Sequence, residues 1–346
     1  MELACLPSGK KNGTSVSGNK ERDEMNEALI LFAAYWIDRV VGDPRGLPHP
    51  VVGMGWCILR LERLLRALVK REEHLKAAGL LFPLLIAGGS LVVTWALLYA
   101  AGRVHPWLAV ALEVWLISAT IATKGLADAG MEVFHHLRAG DREAARRSLS
   151  MVVGRDTERL DEPEICRGAV ETVAENIVDA IISPLVYAAL GGAPLAMAYR
   201  AANTLDSMVG YKNEKYRHLG WASARFDDLL NFLPARLTAL LLVAASWLMR
   251  LDWRQCWAVI RRDARLHPSP NSGLPEAGVA GALGVQLGGL NYYQGVPSNR
   301  AKLGNPLRPL RPDDIGAAVR LMKLVSVLGL VVCMAAAFGI SVSTGE

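Results

Sequence analysis

Apolar positions along this chain are gathered into long blocks rather than scattered evenly. Residues 80–101, 106–123 and 325–342 each approach the roughly 20 helical residues that cross a hydrocarbon core, so three membrane spans are expected there. Residues 28–41 form a shorter apolar run that ends where Pro44, Pro48 and Pro50 interrupt any helix. Over residues 60–76, Leu61, Leu64, Leu65 and Leu68 fall on one helical face with arginines on the rest. That pattern fits either a helix lying on an anionic membrane surface or a solvated helix capping a bundle. Residues 177–202 are apolar enough to span but are interrupted by Ser183-Pro184 and by Gly191 to Pro194. Broken helices at membrane depth occur only where they are buried in protein or line a cavity, so a re-entrant hairpin or a pair of half-helices is expected. Residues 229–249 resume the apolar pattern with Asn231, Pro234 and Arg236 in their first turns. The small-residue run 281–290 reads as closely packed helix. The fold class is therefore all-α: a polytopic helical membrane protein with broken or re-entrant helices and cytoplasmic helical loops.

Charge refines this picture. The 38 Lys+Arg against 33 Asp+Glu leave the 346-residue chain at +5, but the basic residues flank apolar blocks, which is the placement of membrane anchors and not of a nucleic-acid surface. The link between Ala101 and Pro106 is short, whereas residues 124–167 carry Arg138, Arg142, Arg146, Arg147, Arg155 and Arg159, which puts this long loop in the cytoplasm. Its front half reads as two helices joined at residues 139–141, with Gly140 as stop and Asp141 as the next cap. The N-terminus is polar, lacks the parts of a signal peptide, and reads as a disordered tail through residue 26. Residues 27–346 then form a single helical membrane domain, with a cytoplasmic helical loop at 124–175. The run GTSVSGNK has Asn19 where a phosphate loop needs lysine, and five cysteines without paired spacing suggest neither zinc nor disulfides.

Polar residues recurring at helical spacing inside apolar sequence carry the candidate chemistry. Arg167, Glu171, Glu175 and Asp179 fall four apart and make one stripe, with Asn176 beside it. Three carboxylates on one face call for a cation or cationic partner, unless the face is solvated and Arg167 neutralises it. Arg200, Asn203, Asp206, Ser207 and Gly210 share a second face. Beyond it, Lys212, Lys215 and Arg217 read as interfacial anchors or as phosphate ligands. Asp227, Asp228 and Asn231, followed by Arg236, offer the hard oxygen donors that magnesium takes, the competing reading being a helix cap. Last comes HPSPNSGLPE, in which His267, Asn271 and Glu276 sit among three prolines ahead of a small-residue helix. His267 is equally readable as structural or as an acid–base group.

Six ordered stretches then carry a resemblance: GDP....HPV..MG from Gly42, GRDT..L from Gly154, ETVAENIVDAIISPL from Glu171, RAANTLDSMVGYKNEKY from Arg200, FDDLLNFLPARLTA from Phe226 and HPSPNSGLPEA.VAGALG from His267. Together they resemble the adenosylcobinamide-phosphate synthase family of cobalamin biosynthesis, across residues 28–342. The resemblance implies a multi-pass enzyme of the cytoplasmic membrane with its active site facing the cytoplasm. Its reaction would join adenosylcobyric acid to (R)-1-aminopropan-2-ol phosphate or ethanolamine phosphate, with ATP and magnesium. Other membrane enzymes of cobalamin assembly would be partners beside the lipid bilayer. On the spacings above, magnesium is assigned to Asp206, Asp227 and Asp228, with Glu175 and Asp179 as second candidates. Arg200, Lys212 and Arg236 are assigned to phosphate oxygens, and Asn176, Asn203, Asn231 and Asn271 to substrate. His267, Glu276 and Glu175 are the acid–base candidates. Two other readings stay open: a magnesium-dependent membrane phospho- or prenyl-transferase, and a corrinoid transporter or binding protein, since intramembrane charges on broken helices also mark substrate pathways. No phosphate loop, kinase-like glycine loop or dinucleotide fingerprint is present.

Overall fold

A computed structural model describes residues 14–42, 49–211 and 213–343. The polar N-terminal segment is helical from residue 14: α1 runs Thr14–Val40. Next come α2 (Pro50–Leu68) and α3 (Glu72–Ala78), then a π-helical turn at Pro83–Ala87 that leads into α4 (Gly88–Val104). The chain continues through α5 (Pro106–Ser118), α6 (Thr123–Arg138), α7 (Arg142–Ser150) and α8 (Glu162–Ile177), and a second π turn, Val178–Ile182, joins α8 to α9 (Ser183–Val209). The remainder is α10 (Trp221–Leu230), α11 (Phe232–Leu248), α12 (Trp253–Asp263), a 3₁₀ turn at Ala264–Leu266, α13 (Gly273–Leu283), an antiparallel hairpin of β1 (Leu287–Tyr293) and β2 (Val296–Leu303), and α14 (Pro312–Ser343).

Four stretches among the described residues are long and apolar enough to cross a membrane: Glu72–Val104, Pro106–Arg138, Glu162–Val209 and Pro312–Gly339. A fifth arises if α10 and α11, bent by 46°, form one broken span. Of the three spans read from the sequence, 80–101 and 106–123 lie within these stretches, and 325–342 overlaps the last of them. Helix α4 presents Val92, Val93, Trp95 and Tyr99 outward, an apolar face of the kind lipid contacts. The interior is built where α14 packs against α1, α6, α8 and α11. Tyr35 on α1 and Ser326 on α14 share a buried 2.8 Å hydrogen bond, and Gly329 lets Ile182 press against the α14 backbone.

The apolar run after residue 177 folds back on itself at Gly191 and Gly192, as a hairpin of half-helices. Tyr187 and Tyr199, twelve residues apart in sequence, stack with ring centroids 5.1 Å apart, and the Tyr199 hydroxyl donates to Asp179 O at 3.1 Å. Gly192 holds φ +61°, and a side chain there would also collide with Glu113. Glu113, a carboxylate inside apolar α5, accepts from Ala193 N at 3.3 Å and so satisfies the first amide of the returning half-helix. Ser183-Pro184 is not a break: helix passes through it, because the π turn just upstream absorbs the extra residue. That turn leaves carbonyls open to outside donors. Asp179 O takes Tyr199, and Ala180 O takes Ala122 N at 2.9 Å.

Two other expectations need correction. Residues 60–76 are not one amphipathic helix: α2 ends at Leu68, Leu65 is buried, and Leu64 and Leu68 face outward. Glu62 takes the inward place and is bonded by Arg66 at 2.9 Å. The run 281–290 is helical only to Leu283, where Gly284 takes a left-handed φ of +66° and ends α13. Beyond it the chain is β1, with positive φ at Gly288 and Gly289. Close packing does hold for Gly281, where a Cβ would collide with the Gln255 backbone of α12. The break between α6 and α7 is as read: Gly140 has φ +77° and Asp141 accepts from Ala144 N at 2.9 Å.

Candidate functional site

The polar residues singled out above converge on the junction, hereafter the cleft, at which α8, the returning half of α9, the α10–α11 bend, the segment before α13 and the β-hairpin pack against one another. Asn231 organises its floor. With 1% exposure, its carbonyl oxygen accepts from Ser183 Oγ at 2.5 Å and Tyr199 Oη at 2.9 Å, while its amide donates to Asp227 at 2.9 Å. Asn203 donates to the other Asp227 oxygen at 3.4 Å. Asn231, expected to bind substrate, is thus spent on protein groups, and its role is to fix Asp227 at the helix bend. Asn203 likewise serves Asp227.

Asp179, Asp206 and Asp227 lie within electrostatic reach of one another, with Asp228 acting on Asp206 and Asp227. Among the described residues, however, no three of His, Cys, Asp and Glu come together as a set that could hold a metal ion. The four aspartates assigned to magnesium therefore form no protein-built cage. Asp227 is occupied by two amides, and Asp228 turns along its helix to Arg225 at 3.4 Å. Asp206 owes its place to Gly210, because a Cβ there would overlap the Asp206 carboxylate. Gly210→Ala is expected to displace Asp206 and to cost about 1–3 kcal/mol of overpacking. Thermal unfolding in detergent measures it, and an unchanged midpoint with unchanged turnover would show that the space is not needed.

Arg200 faces Asp179, and its buried Nε has no hydrogen-bond partner in the protein, which leaves a guanidinium donor for a ligand anion. Arg236 is partly committed: one Nη donates to Phe232 O at 2.9 Å and to Asn271 Oδ1 at 2.8 Å, and its guanidinium lies 3.6 Å over the Phe232 ring. Asn271 also differs from expectation. It is buried, its Nδ2 donates to Asp228 O at 2.7 Å, and with Arg236 it clips the 267–272 segment to the α10–α11 bend. Asn176 donates to Thr172 O within its own helix at 2.9 Å. Lys212 lies outside the described residues.

His267 and Glu276 are the strongest feature of the cleft. Their side chains are 8% and 2% exposed, and Nε2 approaches Oε1 to 3.5 Å without a hydrogen bond, so both atoms are buried and unpartnered in the protein. Ser269 N donates to His267 Nδ1 at 3.1 Å, the shorter of that nitrogen's contacts, which puts the proton of the neutral ring on Nε2, facing Glu276. Burial lowers the His267 pKa and keeps the ring neutral. Burial, reinforced by Glu175 and Glu171, holds the Glu276 carboxyl well above the usual carboxylate range. Glu175, partly buried on α8, links the two halves of the cleft, within electrostatic reach of Asp179 and Asp206 on one side and of His267 and Glu276 on the other.

Glu171 is neither solvated nor neutralised by Arg167 alone. It is buried and paired with both Arg155 and Arg167, and its Oε1 accepts from Gly288 N at 2.7 Å. Arg167 donates to Gly288 O at 2.8 Å and Leu290 O at 3.0 Å, and Arg155 to Asn291 Oδ1 at 2.7 Å. Asp156 accepts from Gln294 N and Gly295 N at 2.9 and 2.7 Å at the hairpin tip. The GRDT stretch and the first half of the α8 stripe thus fasten the β-hairpin over the cleft. Sequence reading missed Arg155, Asp156 and Tyr199 as parts of this site, although Tyr199 adjoins the Arg200 face and GRDT stood among the six stretches.

Comparison with known proteins identifies the family of the chain. The CobD/Cbib protein family model matches residues 31–322. The cobalamin biosynthesis protein CobD of Geobacter metallireducens is 50% identical over 299 residues, covering 86% of this chain and 93% of that one. The cobalamin biosynthesis protein CbiB of Salmonella paratyphi B is 46% identical over 314 residues, covering 90% of this chain and 98% of its own. No solved structure matches. With the match running from α1 into α14 and through every wall of the cleft, the chain belongs to the CobD/CbiB protein family.

Proposed function

We propose that the protein is an enzyme of cobalamin biosynthesis that makes an amide at the expense of ATP. It would join a propionate of adenosylcobyric acid to (R)-1-aminopropan-2-ol phosphate or ethanolamine phosphate to give adenosylcobinamide phosphate. The observation that carries this reading is the buried, unpartnered His267–Glu276 pair in a cleft that also holds an unpartnered arginine donor. Family membership supplies the pathway, and the curated relatives are named for cobalamin biosynthesis. The cleft would open to the cytoplasmic side of the cell membrane, where the basic loops lie.

A carboxylate and an amine do not condense unaided in water. Transfer of the γ-phosphoryl group to the propionate oxygen releases ADP and gives an acyl phosphate. The amine nitrogen then attacks the acyl carbon, inorganic phosphate leaves with the C–O bond electrons, and the nitrogen gives up a proton. With the His267 proton on Nε2, Glu276 is the group with a free basic oxygen, and its raised pKa makes it a better proton acceptor than an ordinary carboxylate. His267 orients it. Arg200 would take phosphoryl oxygens. Magnesium would enter as the counter-ion of ATP, since the described carboxylates build no cage for it.

The test is detergent-purified protein incubated with adenosylcobyric acid, ATP, magnesium and each amine phosphate, with product masses measured. The amide product, with ADP and phosphate in equal amount, is expected. Product formed without ATP would point to a transferase, and corrinoid counterflow in sealed vesicles without any product would point to a transporter.

A further inference from the structure

We propose that Arg300, on β2, recognises the phosphate of the amine substrate while Glu175 and Glu276 receive its ammonium end, so that this wall of the cleft is a zwitterion site selecting phosphorylated amino alcohols. The inference rests on the amide-ligase reading.

The geometry comes from the hairpin. Arg300 pairs across the ladder with Gly289, and a Cβ built at Gly289 would meet nothing within 4 Å, so there is open space beside the arginine. Strand β2 packs on the 3₁₀ turn just before His267. Arg300 thereby comes within electrostatic reach of Glu175, Glu276 and Glu171. Yet among the described residues no carboxylate stands at ion-pair distance from it. Its hydrogen bond is from Nη2 to the Tyr293 hydroxyl at 2.9 Å, and its guanidinium lies 6.0 Å from that ring. Across from it, His267 Nε2 and Glu276 Oε1 are buried without partners. A cation with unused donors and a buried carboxyl with an unused oxygen, next to Glu175, thus share one wall.

A ligand bridging them must carry an anion and a cation close together. An amino-alcohol phosphate does, with nitrogen and phosphate separated by two carbons and an ester oxygen. The planar guanidinium fork suits phosphate oxygens better than a lysine would. The strand that carries it does not drift, because Glu171, Arg155, Arg167 and Asp156 hold the hairpin at its base and tip. At the other end, ammonium bound beside Glu276 stands next to the group that must take its proton.

The test compares kcat and KM for (R)-1-aminopropan-2-ol phosphate and for unphosphorylated (R)-1-aminopropan-2-ol in wild type, Arg300→Gln and Arg300→Lys. Wild type should prefer the phosphorylated amine. Arg300→Gln should lose about 10- to 100-fold in kcat/KM for it, mostly through KM, the size expected for one charge-assisted contact. The loss for the unphosphorylated amine should be clearly smaller, so that the preference for the phosphorylated amine shrinks. Arg300→Lys should fall between, and it decides the question if the glutamine variant does not fold. A parallel fall for both amines, or an unchanged preference, overturns the assignment. Failure of wild type to form an amide from either amine would sink the ligase reading itself, whatever Arg300 does.

Discussion

Glu276→Gln is expected to lower kcat by roughly 10²- to 10⁴-fold, the range that a positioned proton acceptor contributes. The swap keeps the shape of the side chain and its place against His267, so it removes the basic oxygen and little else. In wild type the rate should rise with pH until Glu276 ionises, above the usual carboxylate range because burial, Glu175 and Glu171 disfavour its anion. The glutamine variant should lose that limb. Stability should move the opposite way: a carboxyl whose folded pKa is raised favours the fold while protonated, and that contribution disappears as pH rises through the raised value. Rate–pH profiles of both proteins, with melting temperatures over the same range, check the two signs together. A wild-type limb that persists in Glu276→Gln would assign the titration to another group.

The second large effect is structural. Glu171→Gln should destabilise the protein by about 3–5 kcal/mol, the usual result of removing one partner from a buried ion pair. Arg155, 6% exposed at its side chain, would then be buried without a counter-charge, and Arg167, 10% exposed, would keep only Glu164 at 3.9 Å. Glu171 also accepts the Gly288 amide, so the damage should centre on the β-hairpin. Hydrogen exchange should speed up at residues 287–303 before the rest of the chain, along with a lower unfolding midpoint. Uniform exchange across the protein would show that the pair does not anchor the hairpin.

How much of this was legible in the sequence differs from one feature to the next. The spans were legible because lipid demands long apolar helices, and only composition and length are needed to see them. The turn at Gly191 and Gly192 was legible for a similar reason, since few residues other than glycine tolerate a positive φ there. The β-hairpin was not: GALGVQLGGL has the same small residues as a packed helix, and what makes it a strand is the Glu171–Arg155–Arg167 network holding Gly288 and Leu290 from another part of the chain.

The site divides in the same way. Helical spacing identified the Glu171–Glu175–Asp179 stripe, the Arg200–Asp206 face, Asp227 with Asp228, and the His267–Glu276 segment as unusual, because polar groups in apolar sequence are costly and need a reason. Spacing could not say which of them would meet. Asn231 and Asn271 looked like ligands for a substrate and turned out to be braces, because their partners Ser183, Tyr199, Asp228 and Arg236 come from other helices or from across the α10–α11 bend. By itself, then, the sequence determined where the chain is apolar, where it must turn, and which polar residues are too expensive to be accidental. Tertiary structure alone decided their roles, since a buried donor or acceptor is spent or left free according to what the fold places within about 3 Å of it.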